Sequence, residues 1–179
     1  MKLIVRLFTC VSPASDGSRV PRDKVIEYLN SDAYKNAIDS GTMLCTVSHR
    51  DRQVQASQGG DLLKGVIGRD DQILLNKSAV GKLNKIFFSD DPSDEWVYGE
   101  MELFDEGVMD SQSAELIRQI KGLIRNGVKL TTSTILVCYW DENEVCEKFV
   151  ACKGNDFTLN PAFNKNGKEP AGILRVLED

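Results

Sequence analysis

The chain has one histidine, His49, in 179 residues. A protein zinc site draws on several closely spaced Cys and His ligands. The five cysteines, Cys10, Cys45, Cys138, Cys146 and Cys152, form no C-x-x-C pair, so no metal or other cofactor is expected. Their odd number gives no disulfide framework. Most sit in apolar runs, where a reduced thiol packs as a small hydrophobe, and a reducing cytoplasm is the expected setting. No apolar run approaches the roughly 18 residues that cross a bilayer. The opening "MKLIVRLFTCV" is too short for a secretory signal, and Lys2 and Arg6 interrupt it. No membrane partner is expected. Nor is there an excess of positive charge: 22 Lys and Arg face 27 Asp and Glu, for a net charge of -5. A nucleic-acid partner needs clustered cations. The basic residues of "IRQIKGLIRNGVK" fall at helical spacing and read as a solvated helix face.

At 41% hydrophobic, the chain can bury the core of a single domain spanning 1–179. "KLIVRLFTCV" reads as a strand. "SRVPRDKVIEYLNSDAYKNAIDSG" reads as one helix, with Pro21 in its first turn, Gly41 at its end, and Val25, Ile26, Leu29, Ala33, Ala37 and Ile38 on one side. "TMLCTVSH" reads as a strand, and residues 53–72 as a long mobile loop. "KLNKIFF" and "EWVYGEMELF" read as strands joined by the turn "SDDPSD". "DSQSAELIRQIKGLIRNG" is the second helix, with Ala114, Ile117, Ile120 and Ile124 inward and Gly127 just past its end. "VKLTTSTILVCYW" and "EVCEKFVACK" form a hairpin across "DENE". "DFTLNPAF" reads as a short strand broken at Asn160-Pro161, "ILRVL" as an edge strand, and 164–179 as a possible tail. The pattern is an α+β fold, a mostly antiparallel, barrel-like β core with two main helices.

Serine hydroxyls need a base to take their proton during attack, and histidine is the usual one. Any Ser–His chemistry in this chain must therefore use His49. Ser133 in "KLTTSTILV" is the best-placed nucleophile, on a strand pattern that directly follows a helix and its terminating glycine. Both residues also have plain readings: Ser133 as an ordinary strand residue, His49 as a half-exposed residue at a strand end.

Four segments carry a resemblance. "DGSRVPRDKVIEYLNSDAYKNAIDSGTMLCTVSH" runs from a loop through a helix to a strand ending in histidine. "WVYGEMELFD" has a Tyr-Gly step. "LIRQIKGLIRNGVKLTTST" places a helix and glycine before a serine-bearing strand, and "NDFTLNPAF" ends in an Asn-Pro step. In this order they resemble the prohead, or capsid maturation, proteases of tailed bacteriophages, which share a fold with the herpesvirus assembly proteases. The likeness spans residues 14 to 163.

The resemblance implies His49 as base, Ser133 as nucleophile and Asp156 as the acid that orients the imidazole, with Glu147 and Asp141 as rivals for the third place. Asp156 reads equally as a turn residue bonding its own backbone. Thr134 either assists or continues the strand. The resemblance also implies peptide hydrolysis without a cofactor. Substrates would be the scaffold and the major capsid protein, the site of action the assembling prohead in the host bacterial cytoplasm, with oligomerisation and self-trimming open. Many relatives carry an arginine after the serine pair, whereas here Ile135 follows Ser133-Thr134. That departure keeps open a catalytically silent scaffolding or interaction module of the capsid with the same fold. The 53–72 loop, following His49, is expected to flank a substrate cleft.

Overall fold

The computed structural model describes residues 1–47, 79–109, 111–158, 161–165 and 169–179. His49 and the 53–72 loop lie outside the described residues.

Strand β1 (Lys2–Thr9) is a largely buried interior strand of a five-stranded antiparallel sheet. Its neighbours are β4 (Trp96–Leu103) on one side and β9 (Gly172–Glu178) on the other. The sheet continues from β4 through β3 (Ala79–Phe88) to the short β2 (Leu44–Thr46). A long hairpin forms a second sheet, β5 (Thr132–Trp140) with β6 (Cys146–Phe157). Two-residue strands β7 (Asn164–Lys165) and β8 (Glu169–Pro170) pair separately. The fold is α+β and mostly antiparallel, and among the described residues the strands do not close into a barrel. Residues 172–178, which include the expected edge strand "ILRVL", form β9 at the edge of the sheet. Arg125 anchors the far end of this strand, gripping Asp179 with two hydrogen bonds of 2.7 and 2.6 Å.

Among the described residues there are three α-helices where two were expected. The first helical pattern splits into α1 (Arg22–Leu29) and α2 (Asp32–Asp39). The break is a matter of capping chemistry. The Ser31 hydroxyl accepts from the Tyr34 N–H at 3.2 Å, starting a new helix where apolar spacing alone suggested continuation. The buried residues of α1 are Val25 and Tyr28, while Ile26 is exposed. Helix α3 (Ser111–Arg125) buries Ile117, Ile120 and Ile124 as its spacing predicts, with Ser113 buried and Ala114 only partly so. It ends in a Schellman motif: the Gly127 N–H reaches the Ile124 carbonyl and the Val128 N–H the Leu123 carbonyl. The φ of +78° at residue 127 is why glycine stands there.

Two further segments differ from expectation. "TMLCTVSH" forms a strand only at 44–46 within its described part. "DFTLNPAF" is no separate strand at its start, because Asp156 and Phe157 complete β6.

One apolar cluster joins these elements. Leu3, Val5, Leu7 and Phe8 of β1 meet Val97 and Met101 of β4, Leu83 of β3 and Ile117 of α3. Tyr28 of α1 stacks on Phe149 of β6 with ring centroids 4.3 Å apart, tying helix to hairpin. Each fully buried aliphatic side chain contributes about 1.5–3 kcal/mol by leaving water.

All five cysteines are free, and four of them are buried. Burial raises the thiol of Cys10 to about 12 and pushes Cys138 and Cys146 up as well. It does the same to the phenols of Tyr28 and Tyr98. These groups are neutral in both folded and unfolded chains below the ordinary thiol value of 9.0. Above it the unfolded chain releases protons that the folded chain keeps, so unfolding gains. Thermal midpoints are therefore expected to hold steady between pH 7 and 8.5 and to fall progressively above pH 9. A midpoint unchanged to pH 11 would contradict this burial pattern.

Candidate active site

In the β5–β6 ladder Ser133 stands directly opposite Asp156. Opposed residues of an antiparallel pair share a face, their Cβ atoms about 5 Å apart. The serine hydroxyl and the carboxylate thus project to the same side. Both residues are buried, Ser133 at 1% exposure and Asp156 at 0%.

Asp156 is not a turn residue bonding its own backbone. Its Oδ1 accepts the backbone N–H and the hydroxyl of Thr46, each at 3.0 Å. This brings the end of β2 against the hairpin, three residues before His49. The contact depends on a close backbone crossing. A Cβ on Gly154 would lie 1.7 Å from the Leu44 carbonyl oxygen, closer than any side chain allows. Gly154 also has φ +141°, which L side chains rarely adopt. Glycine lets β6 run on through Asn155 and Asp156 instead of stopping, and presses it against β2.

Ser133 Oγ has no hydrogen-bond partner among the described residues. A buried hydroxyl without a partner costs about 1–3 kcal/mol, and such groups in folded proteins call for an explanation beyond stability.

The opposite face of the ladder carries Thr132, Thr134 and Asn155. The Thr134 hydroxyl donates to the Leu7 carbonyl at 3.1 Å, and Asn155 Oδ1 lies 3.1 Å from the same hydroxyl. Leu7 sits where the β1–β4 register shifts, between Arg6 and Phe8. A bulge of this kind leaves a residue unpaired in the ladder. Thr134 therefore serves the joint between β5 and β1, facing away from Ser133.

The rivals for the acid position lie elsewhere. Asp141 holds the hairpin turn, its Oδ1 accepting the N–H groups of Asn143 and Val145, each at 2.8 Å. Glu147 is exposed near the start of β6. Ile135, where relatives of the resembled family carry arginine, is half-buried on β5. The structure thus places Ser133 and Asp156 together and leaves Glu147 and Asp141 apart from them; His49 lies outside the described residues. Thr46 and Gly154 were not legible as site residues. The only sign of Thr46 was a polar side chain in a short apolar strand. Gly154 fell between the two strand readings "EVCEKFVACK" and "DFTLNPAF".

Comparison with protein-family models, with curated proteins and with solved structures gives no match to this chain.

The crossing at Gly154 makes a sharp contrast with Gly122, which lies in α3 with open space where a Cβ would go. Gly154→Ala is expected to cost about 3 kcal/mol or more through backbone displacement and strain. For a chain of this length that lowers the thermal midpoint by roughly 6–12 °C. Gly122→Ala should raise it slightly, since alanine favours a helix by about 1 kcal/mol over glycine. Equal effects of the two, read by calorimetry, would contradict the crossing.

Proposed function

We propose that this chain is a serine endopeptidase of the prohead type, acting on the scaffold and the major capsid protein within the assembling shell. The observation that carries the reading is the buried Ser133 hydroxyl, without a hydrogen-bond partner among the described residues, directly opposite the buried Asp156 carboxylate. His49 is the base of this proposal. The chain from Thr46 to His49 is three residues long, about 10 Å when extended, and Thr46 touches Asp156. The proposed triad is His49, Ser133 and Asp156.

The fold is read in the same terms. The Thr132 N–H donates to the Ala171 carbonyl at 3.1 Å and the Ile173 N–H to the Leu130 carbonyl at 3.0 Å, joining β9 to the start of β5. With β6 crossing β2 at Gly154, these contacts bring the two sheets together, which supports the herpesvirus-protease-like reading of the fold.

In the proposed reaction, Ser133 Oγ attacks the scissile carbonyl carbon while its proton passes to the imidazole of His49. Asp156 orients that ring and stabilises it when charged. The tetrahedral adduct collapses with breakage of the C–N bond, and the imidazolium gives its proton to the leaving amine. Water then hydrolyses the acyl-serine by the same relay. Ile135, in place of arginine, favours one second reading: a catalytically silent capsid module with this fold. A missing oxyanion donor typically costs about 3 kcal/mol in the transition state.

A fluorophosphonate probe separates the two readings. The wild-type chain is expected to take one covalent adduct, absent in Ser133→Ala. Labelling should slow by about 10³- to 10⁴-fold in His49→Ala and Asp156→Asn. Adducts that persist in Ser133→Ala would move the nucleophile elsewhere, and an unlabelled wild-type chain would favour the silent module. With a cleavable peptide, kcat/KM should fall on the acidic side along the titration of a single group, the His49 imidazole. A rate flat from pH 5 to pH 7.5 would count against that base.

A further inference from the structure

We infer that Thr46 is the positioning residue for the Asp156 carboxylate. The inference rests on the serine-endopeptidase reading and extends it to a residue on β2. Two donors of one residue, a rigid backbone N–H and a side-chain hydroxyl, converge on the same oxygen, Oδ1, each at 3.0 Å. A single hydrogen bond leaves a carboxylate free to swing about its Cβ–Cγ bond. Two bonds from donors fixed to one strand hold its plane and its direction. Thr46 and Asp156 are both completely buried, so water does not compete for that oxygen.

The backbone explains how threonine comes to make both bonds. The β2–β3 register shifts between Cys45 and Thr46, with the extra residue, Val80, on β3, and a shift of this kind locally disrupts the ladder beside Thr46. Strand β3 takes one edge of β2; the other faces β6, where Gly154 admits the Leu44 backbone. The Thr46 N–H and hydroxyl therefore point together at the carboxylate two residues beyond Gly154. Ladder pairing fixes Ser133 against the same Asp156, so Thr46 sets the third coordinate of the arrangement.

Three substitutions test this. Thr46→Val keeps the shape and the backbone N–H but deletes the hydroxyl donor. Thr46→Ser restores the donor without the methyl group, and Thr46→Cys replaces it with a weak one. Labelling of Ser133 by a fluorophosphonate is expected to slow about tenfold in Thr46→Val and about fivefold in Thr46→Cys, and to stay within about twofold of wild type in Thr46→Ser. The acidic limb of the pH–rate profile should move to lower pH in Thr46→Val. A carboxylate held less firmly stabilises the imidazolium less, which lowers the pKa of the base. In an Asp156→Asn background Thr46→Val should add nothing, because Thr46 acts through that carboxylate.

A purely structural role would lower the thermal midpoint in Thr46→Val while leaving labelling rate and acidic limb at wild-type values below that midpoint, and this result overturns the inference. Should Thr46→Val fail to fold, Thr46→Cys labelling at the wild-type rate overturns it equally. If the wild-type chain labels at Ser133 and the Thr46 variants match it, only the inference falls. If the wild-type chain does not label, the endopeptidase reading falls and takes the inference with it.

Discussion

Everything at the candidate site depends on how closely two strand backbones approach. At Gly154 the chain of β6 lies against the Leu44 carbonyl at a separation that only a residue without Cβ permits. This crossing joins the hairpin sheet to the end of the five-stranded sheet, and Asp156 reaches Thr46 because of it. The ladder then carries the position of Asp156 across to Ser133. A backbone contact thus determines the placement of a carboxylate, and the carboxylate lies opposite the hydroxyl.

The two faces of the β5–β6 ribbon divide the work. On one face Ser133 and Asp156 stand together, with the hydroxyl buried and unpartnered among the described residues. On the other, Thr134 closes onto the carbonyl that the β1 bulge leaves outside its ladder. Neighbours in sequence, Ser133 and Thr134, therefore have unrelated tasks. Period-two alternation enforces that separation. A polar run such as "TTST" cannot be read as a single functional unit once it lies in a strand between two packed layers.

Much of the fold was legible where local chemistry and global packing agree. The α3 stripe of Ile117, Ile120 and Ile124, the glycine after it, the "SDDPSD" turn and the "DENE" hairpin all follow from periodicity and turn residues. The split between α1 and α2 was missed because apolar spacing ran on through a position where Ser31 caps a new helix. β6 was cut short for a similar reason: glycine followed by asparagine and aspartate looks like a turn, and only the strand packed alongside makes it extended. Ser133 and Asp156 were both singled out, yet their opposition across the ladder is a matter of register. Register depends on three shifts of the β5–β6 ladder, each with an extra residue on β6, that leave no local mark in composition.

The hydrogen bonds that define the site join residues remote in the chain: 110 positions separate Thr46 from Asp156, and 127 separate Leu7 from Thr134. Closing such loops carries an entropic cost that nearby contacts do not offset. While the polypeptide is being made, its first third waits for the last third to leave the ribosome. A fragment lacking β6 has neither Asp156 nor the strand that pins Ser133, so the candidate site is complete only after Cys146–Phe157 has been synthesised. The topology itself delays assembly of the candidate site.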